Sequence, residues 1–523
     1  MGIQLWPRLI KSTMALLLIA CLPGAAAAPV PSVSFNITGF VIEGENPLDK
    51  FTTDEILKPY LGRQEGLDGL RQAVAQLEKA ILDSGQSFYR VVLPPQTLDA
   101  GRVTLKVVPI KVARINITGN QYFSDANILA SLPGLKVGTT PDTRTLAREL
   151  IVANHHASKQ VTMRMQQSDQ PDSIDVALKV QEQKPWRLFA SLDNTGSQKT
   201  GDFRITAGGQ YSNLFGLDHE LVASYTTSPG HESDVRQYGF NYRLPLYRFS
   251  GEVALFYSRS DVDTGRVAQV FDVSGAGRFF GATYTQTFDN IGSYRHQASL
   301  AVQDRFFISN VSFQGTPLGV DVRSRPLTLG YHGEYVRENS RLNFNLSYTH
   351  NLPSGRHNDN ATYAASRAGA DAHWQTFQFF ASASHLLPRQ WLLNAALSGQ
   401  YTDEPLIGGE QFGVGGIHSV RGFEERAAAG DQGLRGSLEI WTPVAPFIKG
   451  LRVLGFIDAG YVKSLKTTPG ELDSDTLVSA GIGLRWNWHN QLNLQLDYGH
   501  DLRHARTAGA GGSKVHLSLF YGF

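Results

Sequence analysis

The chain has 523 residues and a mass of 57.4 kDa, and 48 Lys and Arg against 47 Asp and Glu leave a net charge of +1. That balance gives no electrostatic basis for nucleic-acid binding and no acidic disordered tail. Only 18% of residues are charged, while glycine numbers 52 and aromatics reach 10%, which fits a β-rich chain in unusual surroundings; a mean hydropathy of −0.21 is too polar for a bundle of membrane helices.

Met1–Ala28 reads as a secretory signal peptide. Arg8 and Lys11 form its basic start, Met14 to Leu22 its short apolar stretch, and Ala25 to Ala28 its cleavage region. The single cysteine, Cys21, lies inside this segment. Cleavage after Ala28 leaves a chain without disulfides, thiol nucleophiles or cysteine metal sites. Leu18-Ile19-Ala20-Cys21 also matches a lipoprotein box, the alternative in which Cys21 is lipidated. No later stretch is apolar for the roughly 18 residues a membrane helix needs.

Phe35-Asn36-Ile37-Thr38-Gly39 recurs as Ile115-Asn116-Ile117-Thr118-Gly119, which predicts a repeated unit. Each copy reads as strand, two helices and two strands. In the first, Leu70, Val74, Leu77 and Ile81 keep one helical face apolar, and Gly85 ends the helix. In the second, Leu146 and Leu150 take that role after Pro141-Asp142. Closing strands alternate through Val103, Leu105 and Val107, and through Val161, Met163 and Met165 followed by Ile174, Val176, Leu178 and Val180. The expected boundaries are 33–110 and 111–182.

From 186 to 523 the helical period gives way to alternating segments of about ten residues. Val478, Ala480, Ile482, Leu484, Trp486 and Trp488 alternate with Ser479, Gly481, Gly483, Arg485 and Asn487. Aromatics such as Trp486, Trp488, Tyr498 and Tyr401 sit at the ends of the apolar faces, as interfacial girdles require. Roughly sixteen such segments predict a closed antiparallel membrane β-barrel. Short connections near 245–247, 337–339, 388–389 and 489–490 alternate with long ones near 260–276, 309–324, 353–370, 402–430, 462–475 and 501–512. That asymmetry places the short turns and the N-terminal repeats in the periplasm and the long loops outside. The chain ends on an alternating face with Phe523, a signal suited to recognition by barrel-assembly machinery.

A barrel of that size encloses a water-filled lumen that something should block. The longest connection, 402–430, carries Gly408-Gly409, Gly415-Gly416 and Ser419-Val420-Arg421-Gly422-Phe423. Its glycines suit a tight inward hairpin. Arg421 could then anchor the tip to a carboxylate on the wall, and Asp458 shares the lumen face with Arg452. In a wet lumen such a pair is expected to contribute about 1–2 kcal/mol after screening.

Two repeats, a barrel of about sixteen strands, Val420-Arg421-Gly422-Phe423 in the sixth outer loop and Phe456-Ile457-Asp458-Ala459-Gly460 in a later strand together resemble the FhaC/ShlB/HecB family. These are the outer-membrane transporters of two-partner secretion, related to the barrel-assembly protein BamA. Leu93-Pro94-Pro95-Gln96 with Gly101 resembles the end of the family's first polypeptide-transport-associated (POTRA) repeat. The resemblance covers the whole mature chain. It implies two periplasmic POTRA domains, an inward loop anchored by Arg421 on Asp458, with Phe456 and Gly460 beside it, and a secreted exoprotein as partner. Assembly machinery during biogenesis and outer-membrane lipid are the other expected partners. An assembly factor for other barrels is the alternative within the superfamily. The chain departs from some members in having little room for a plug helix between Ala28 and the first strand.

Partner capture is expected by strand addition at an open sheet edge, near Phe88 to Val92 or near Val161, Met163 and Met165. No G-x-S-x-G elbow, H-E-x-x-H or P-loop is found, and no cofactor or metal is expected. His500 and His504 flank an outer loop, and His155-His156 fits a helix end better than a catalytic pair.

Overall fold

The computed structural model describes residues 34–523 except 98, 262–263, 268–270, 275, 310–311, 314–315, 318, 470, 504–505 and 507–511. The expected signal peptide with Cys21, and His504, lie outside the described residues. The chain divides into two compact units. One runs through Ser84 and resumes over Tyr89–Val108; the other comprises Gly85–Phe88 and Pro109–Phe523.

The first unit contains β1 (Ser34–Ile37), β2 (Gly39–Gly44), α1 (Lys50–Leu57), β3 (Gly62–Glu65), α2 (Asp68–Asp83), β4 (Tyr89–Val92) and β5 (Arg102–Pro109). β2 runs parallel to β5 in a sheet of order β2-β5-β4, and β1 pairs separately with β3. α2 buries Leu70, Ala73, Leu77 and Ile81 together with Val103, Leu105 and Val107 of β5. Asp49 starts α1 by accepting from the Thr52 amide at 2.9 Å.

The second repeat has the same order without counterparts of β1 and β3: β6 (Lys111–Thr118), α3 (Asp125–Ala130), α4 (Thr143–Asn154), β7 (Lys159–Gln167) and β8 (Ser173–Glu182). β6 is parallel to β8, and the sheet runs β6-β8-β7. Ser124 and Asp142 cap α3 and α4 through their side chains.

The pentapeptide that signals the repeat is out of step with it. Ile115 to Thr118 ends β6 and Gly119 follows it, but Phe35 to Ile37 lies in β1 and Gly39 opens β2. The counterpart of Gly119 is Gly44. Both have φ +90°, and a Cβ would stand 2.3 Å from the Val180 carbonyl oxygen at Gly119 and 2.2 Å from that of Val107 at Gly44. Gly39 has nothing within 4 Å of such a Cβ. Backbone crowding, not the matching letters, marks the equivalent position.

Sixteen antiparallel strands follow, counting Val322–Ser324 and Pro326–Arg337 as one because both pair with Tyr294–Phe307. Ser513–Gly522 closes the barrel on Trp186–Asp193, from Ser518 opposite Asp193 to Gly522 opposite Phe189. Closure leaves no strand edge facing lipid, where unpaired amides would each cost several kcal/mol, on the order of 2–7. Side chains alternate as expected: Val453, Ile457 and Tyr461 are exposed on the outside of Leu451–Lys463, while Leu454, Phe456, Asp458 and Val462 are buried inside. The turn expected at 245–247 falls later, at 247–250, because the strand runs through Leu246 and the left-handed residue is Ser250. On the long-loop side, α5 (Asn360–Ser366) packs Tyr363 with Trp374, Val322 and Leu406. Its following residue, Arg367, donates through Nη1 and Nη2 to both carboxylate oxygens of Asp431, and also to the Leu406 and Leu465 carbonyls.

The second repeat packs on the short-turn side of the barrel. His156 donates from Nε2 to the Ser212 carbonyl at 2.5 Å and accepts the Ser158 amide on Nδ1 at 3.1 Å. Both ring nitrogens are thus used by the neutral imidazole. Lys159, Asn127, Asp218 and Tyr247 meet beside it. Arg148 of α4 lies 3.1 Å from Asp289 in a further short turn.

Two predictions follow from this packing. Gly44→Ala should destabilise the first repeat by roughly 1–3 kcal/mol, with Gly39→Ala near neutral, read by hydrogen exchange of α2 amides in the full chain; equal effects would overturn the assigned equivalence. Burial lowers the His156 pKa from 6.5 to about 4, against the nearby Asp218, which favours the charged form, and with Lys159 and Arg243, which oppose it. The neutral ring therefore stabilises docking fully above pH 6.5, and that contribution is lost as the pH falls from 6.5 toward 4. Glu149 in α4 runs the other way: burial raises it from 4.5 to about 7, so its contribution declines as the pH rises through that range. Because the two contributions oppose each other over nearly the same range, hydrogen exchange of β7, corrected for intrinsic rates, should change little between pH 7 and 4 in the native chain, whereas His156→Asn leaves the Glu149 contribution alone and should make exchange fall on acidification.

Candidate functional site

The connection expected to fold inward does so. Phe412–Val414 pairs with Ala428–Gly430 as a short hairpin whose far end, 415–427, carries the sequence motif. Gly415 and Gly416 take φ +109° and +105°, a backbone that side chains rarely adopt. The Gly416 amide donates to the Val420 carbonyl at 3.1 Å, and the Gly415 amide to Ser419 Oγ at 3.2 Å. These bonds turn the chain so that Arg421 faces the wall.

Arg421 and Asp458 meet as the sequence predicts. Arg421 Nε donates to Asp458 Oδ2 at 2.7 Å, and Nη2 donates to Oδ1 at 2.8 Å. The Arg421 backbone amide adds a third bond to the same carboxylate at 3.1 Å. A planar guanidinium meeting a carboxylate with two parallel bonds fixes orientation as well as distance. The Arg421 Cζ lies 3.5 Å from the centroid of the Phe456 ring, so the ring forms the floor of the site.

The surroundings differ from the expected wet lumen. Relative exposure is 4% for Arg421 and 0% for Asp458. Val420 and Phe423, on either side of Arg421 and Gly422, pack with Val414, Val462 and Leu477 and keep water out. The expected 1–2 kcal/mol is therefore too small. Breaking a pair this buried costs roughly 3–5 kcal/mol, because the remaining charge is left without its partner.

The small residues of both motifs are explained by contact. A Cβ on Gly460 would stand 2.9 Å from Val420 and 3.0 Å from Val414. Gly422, at φ +93°, lies against the Gly499 backbone, and a Cβ on Gly499 would stand 2.5 Å from the Gly422 amide nitrogen. A Cβ on Gly481 would stand 2.5 Å from Phe456, so that ring also depends on a glycine behind it. Phe456, Asp458 and Gly460 share the lumen face because residues two apart in a strand do.

Sequence reasoning missed further members of the cluster. Glu439 lies 2.7 Å from Arg421 Nη1, and Asp497 lies 3.8 Å from the same nitrogen. Arg485 grips Asp497 with two bonds of 2.7 and 2.9 Å, and the Gly422 amide donates to His516 at 2.9 Å. Strand parity places these side chains inward, but which of them share a level depends on barrel stagger, which alternation does not encode.

The other candidate residues fall elsewhere. β4 and β7 are edge strands of their sheets, as expected. Val161 is buried in the second repeat, and Phe88, Met163 and Met165 pack half-buried against that same core, while Thr162, Arg164 and Gln166 of β7 are exposed. Val92 is half-buried in β4. Phe523 is exposed, and its amide donates to the Leu188 carbonyl at 2.8 Å beside the closing seam. Among the described residues no cluster of His, Cys, Asp and Glu suits a metal ion.

A model of the family described as haemolysin secretion/activation protein ShlB/FhaC/HecB matches residues 172–486, and a ShlB-type POTRA domain matches 35–109. The outer membrane transporter CdiB-2 of Burkholderia pseudomallei is 24% identical over 474 residues, covering 87% of this chain and 77% of that protein. The hemolysin transporter protein ShlB of Serratia marcescens is 24% identical over 431 residues, covering 79% and 72%. The solved structure of CdiB from Escherichia coli superposes with a TM-score of 0.76 at 18% identity, covering 96% of this chain and 93% of that one. BamA from Haemophilus ducreyi lacking its first three POTRA domains gives a TM-score of 0.51, at the level of fold alone. With the family model spanning most of the barrel and a POTRA match before it, this chain belongs to the ShlB/FhaC/HecB family of outer-membrane two-partner secretion transporters.

Proposed function

We propose that the chain moves one large, unfolded exoprotein of adhesin or haemolysin type from the periplasm through the barrel lumen to the cell surface. The observation that carries this reading is the inward hairpin held by a buried, bidentate Arg421–Asp458 pair. A static pore wall needs no such removable contact, whereas a gated conduit does. No nucleotide motif is present, so folding of the exoprotein outside supplies the outward bias. The assembly-factor alternative rests on the BamA-like fold, which both branches share.

Capture uses main-chain groups at a repeat edge. In β7 the outward-facing Val161 amide and carbonyl are occupied by the Asn154 side chain at 2.7 and 3.0 Å. By the two-residue period, the amides and carbonyls of Met163 and Met165 face the same side, and an incoming strand would pair there. Residues 33–110 and 111–182 serve as the two capture domains, with assembly machinery and outer-membrane lipid as the partners of biogenesis.

Deleting the first repeat should abolish secretion while the barrel still inserts. A deletion of 31–111 also removes Phe88 and Ile110, which pack on the second repeat, so removal of 34–84 with 89–108 is the cleaner test. Mass spectrometry of surface and medium proteins identifies the exoprotein lost on deleting the whole chain; unchanged export of it by the shortened chain would refute an essential role for the first repeat.

Arg421→Ala and Asp458→Ala should each lower export and change single-channel conductance, with barrel abundance near normal. Each loss should correspond to roughly 3–5 kcal/mol in the hairpin's preference for its inward position. The double variant should be little worse than either single one. Strictly additive losses, or full export by Arg421→Ala, would exclude the pair as a gate.

A further inference from the structure

The short-turn side of the barrel holds a second buried ion pair, remote in sequence from the hairpin motif. Lys159, the first residue of β7, donates to Asp218 in the first short turn, and both side chains are fully buried. Lys159 also donates to Asn127 Oδ1 at 2.7 Å, and Asn127 Nδ2 donates to Asp218 Oδ1 at 2.9 Å and to the Gly216 carbonyl at 2.8 Å. Tyr247, in the next short turn, donates to Asp218 Oδ2 at 2.6 Å. Lys159 of the second repeat thus has one acceptor in its own repeat, Asn127, and one in a barrel turn, Asp218, which Tyr247 of a second turn holds in place.

We propose that Lys159 and Asp218 are positioning residues that fix the second repeat in one register on the barrel rim, so that the repeat works as a fixed extension of the pore rather than a swinging arm. A buried ion pair adds little net affinity, because separating it returns both charges to water. Its effect is selective. In any slipped pose Lys159 remains covered without its carboxylate, and burial alone pushes its ammonium toward the neutral form. Asn127 travels with the repeat, so what singles out one pose is Asp218 with Tyr247 behind it. The functional consequence lies in β7 itself. Its first residue is held at the rim, so the open main-chain groups of Met163 and Met165 start four and six residues from a fixed point on the barrel. A strand added there is delivered at a set place.

Ser158 and Ser212 provide the test, because their Oγ atoms lie 2.6 Å apart across the same contact. Ser158→Cys with Ser212→Cys, in the full chain cut by an introduced protease site between them, reports the docked pose as a disulfide on non-reducing gels. We expect near-complete cross-linking in membranes. Adding Lys159→Met or, independently, Asp218→Asn should slow cross-linking by about tenfold or more, with unchanged heat-modifiable migration of the barrel. Unchanged rates in both variants would overturn the register role. The transport arm rests on the proposed function and uses the exoprotein lost on deletion of the chain. Export by the cross-linked protein should equal export by the same protein under reduction; a block that reduction relieves would show that the repeat must detach, and would overturn the fixed extension. Export by the reduced form checks the transporter reading separately, so the two failures are distinguishable.

Discussion

The guanidinium of Arg421 is the group on which the arrangement of the lumen depends. Three acids, Asp458, Glu439 and Asp497, come from three different strands and converge where Arg421 and Arg485 oppose them. Without the hairpin, that side of the wall would present clustered carboxylates of like charge, which is unfavourable in a confined space. With it, each acid has a cation or a hydrogen-bond donor. The hairpin therefore completes the wall as well as crossing the lumen, and its inward position is set by electrostatic need and not only by packing.

The same physical device occurs twice with different consequences. At Arg421 the donor sits on a loop whose backbone bends through several glycines, so the contact joins a long connection to a barrel strand. At Lys159 the donor sits on a strand inside a folded repeat, and its carboxylate partner, Asp218, belongs to a tight turn of the barrel. A buried pair restricts geometry in both places. What differs is the stiffness of the element carrying the charge.

Much of this was legible in the sequence for particular reasons. Alternation fixed which side chains of Leu451–Lys463 face inward, so Asp458 could be paired with Arg421 before any coordinates. The glycine content of 402–430 pointed to a hairpin because glycine is costly where it is not required. Glu439, Arg485, Asp497 and His516 were not recoverable as neighbours, since stagger around a barrel is a closure property and leaves no local pattern. The dryness of the site was also hidden: it depends on Val420 and Phe423 meeting Val462 and Leu477, residues that alternation alone assigns to a water-filled interior. The repeated pentapeptide misled by five residues for a related reason. Similar letters satisfy similar strand propensities, whereas the true counterpart is set by a carbonyl pressed against Gly44 and Gly119.

The contact between Arg367 and Asp431 gives the hairpin a mechanical character. Asp431 follows directly on Ala428–Gly430, and Arg367 clamps it from the loop that carries α5. The hairpin is thus a beam held at both ends, by Arg367 at its root and by Asp458 at its tip. If the proposed gate releases the tip, the Arg367–Asp431 contact would keep the root clamped, so that the beam would pivot about Asp431. In the proposed gating, its travel would be an arc of fixed radius that ends at the same seat.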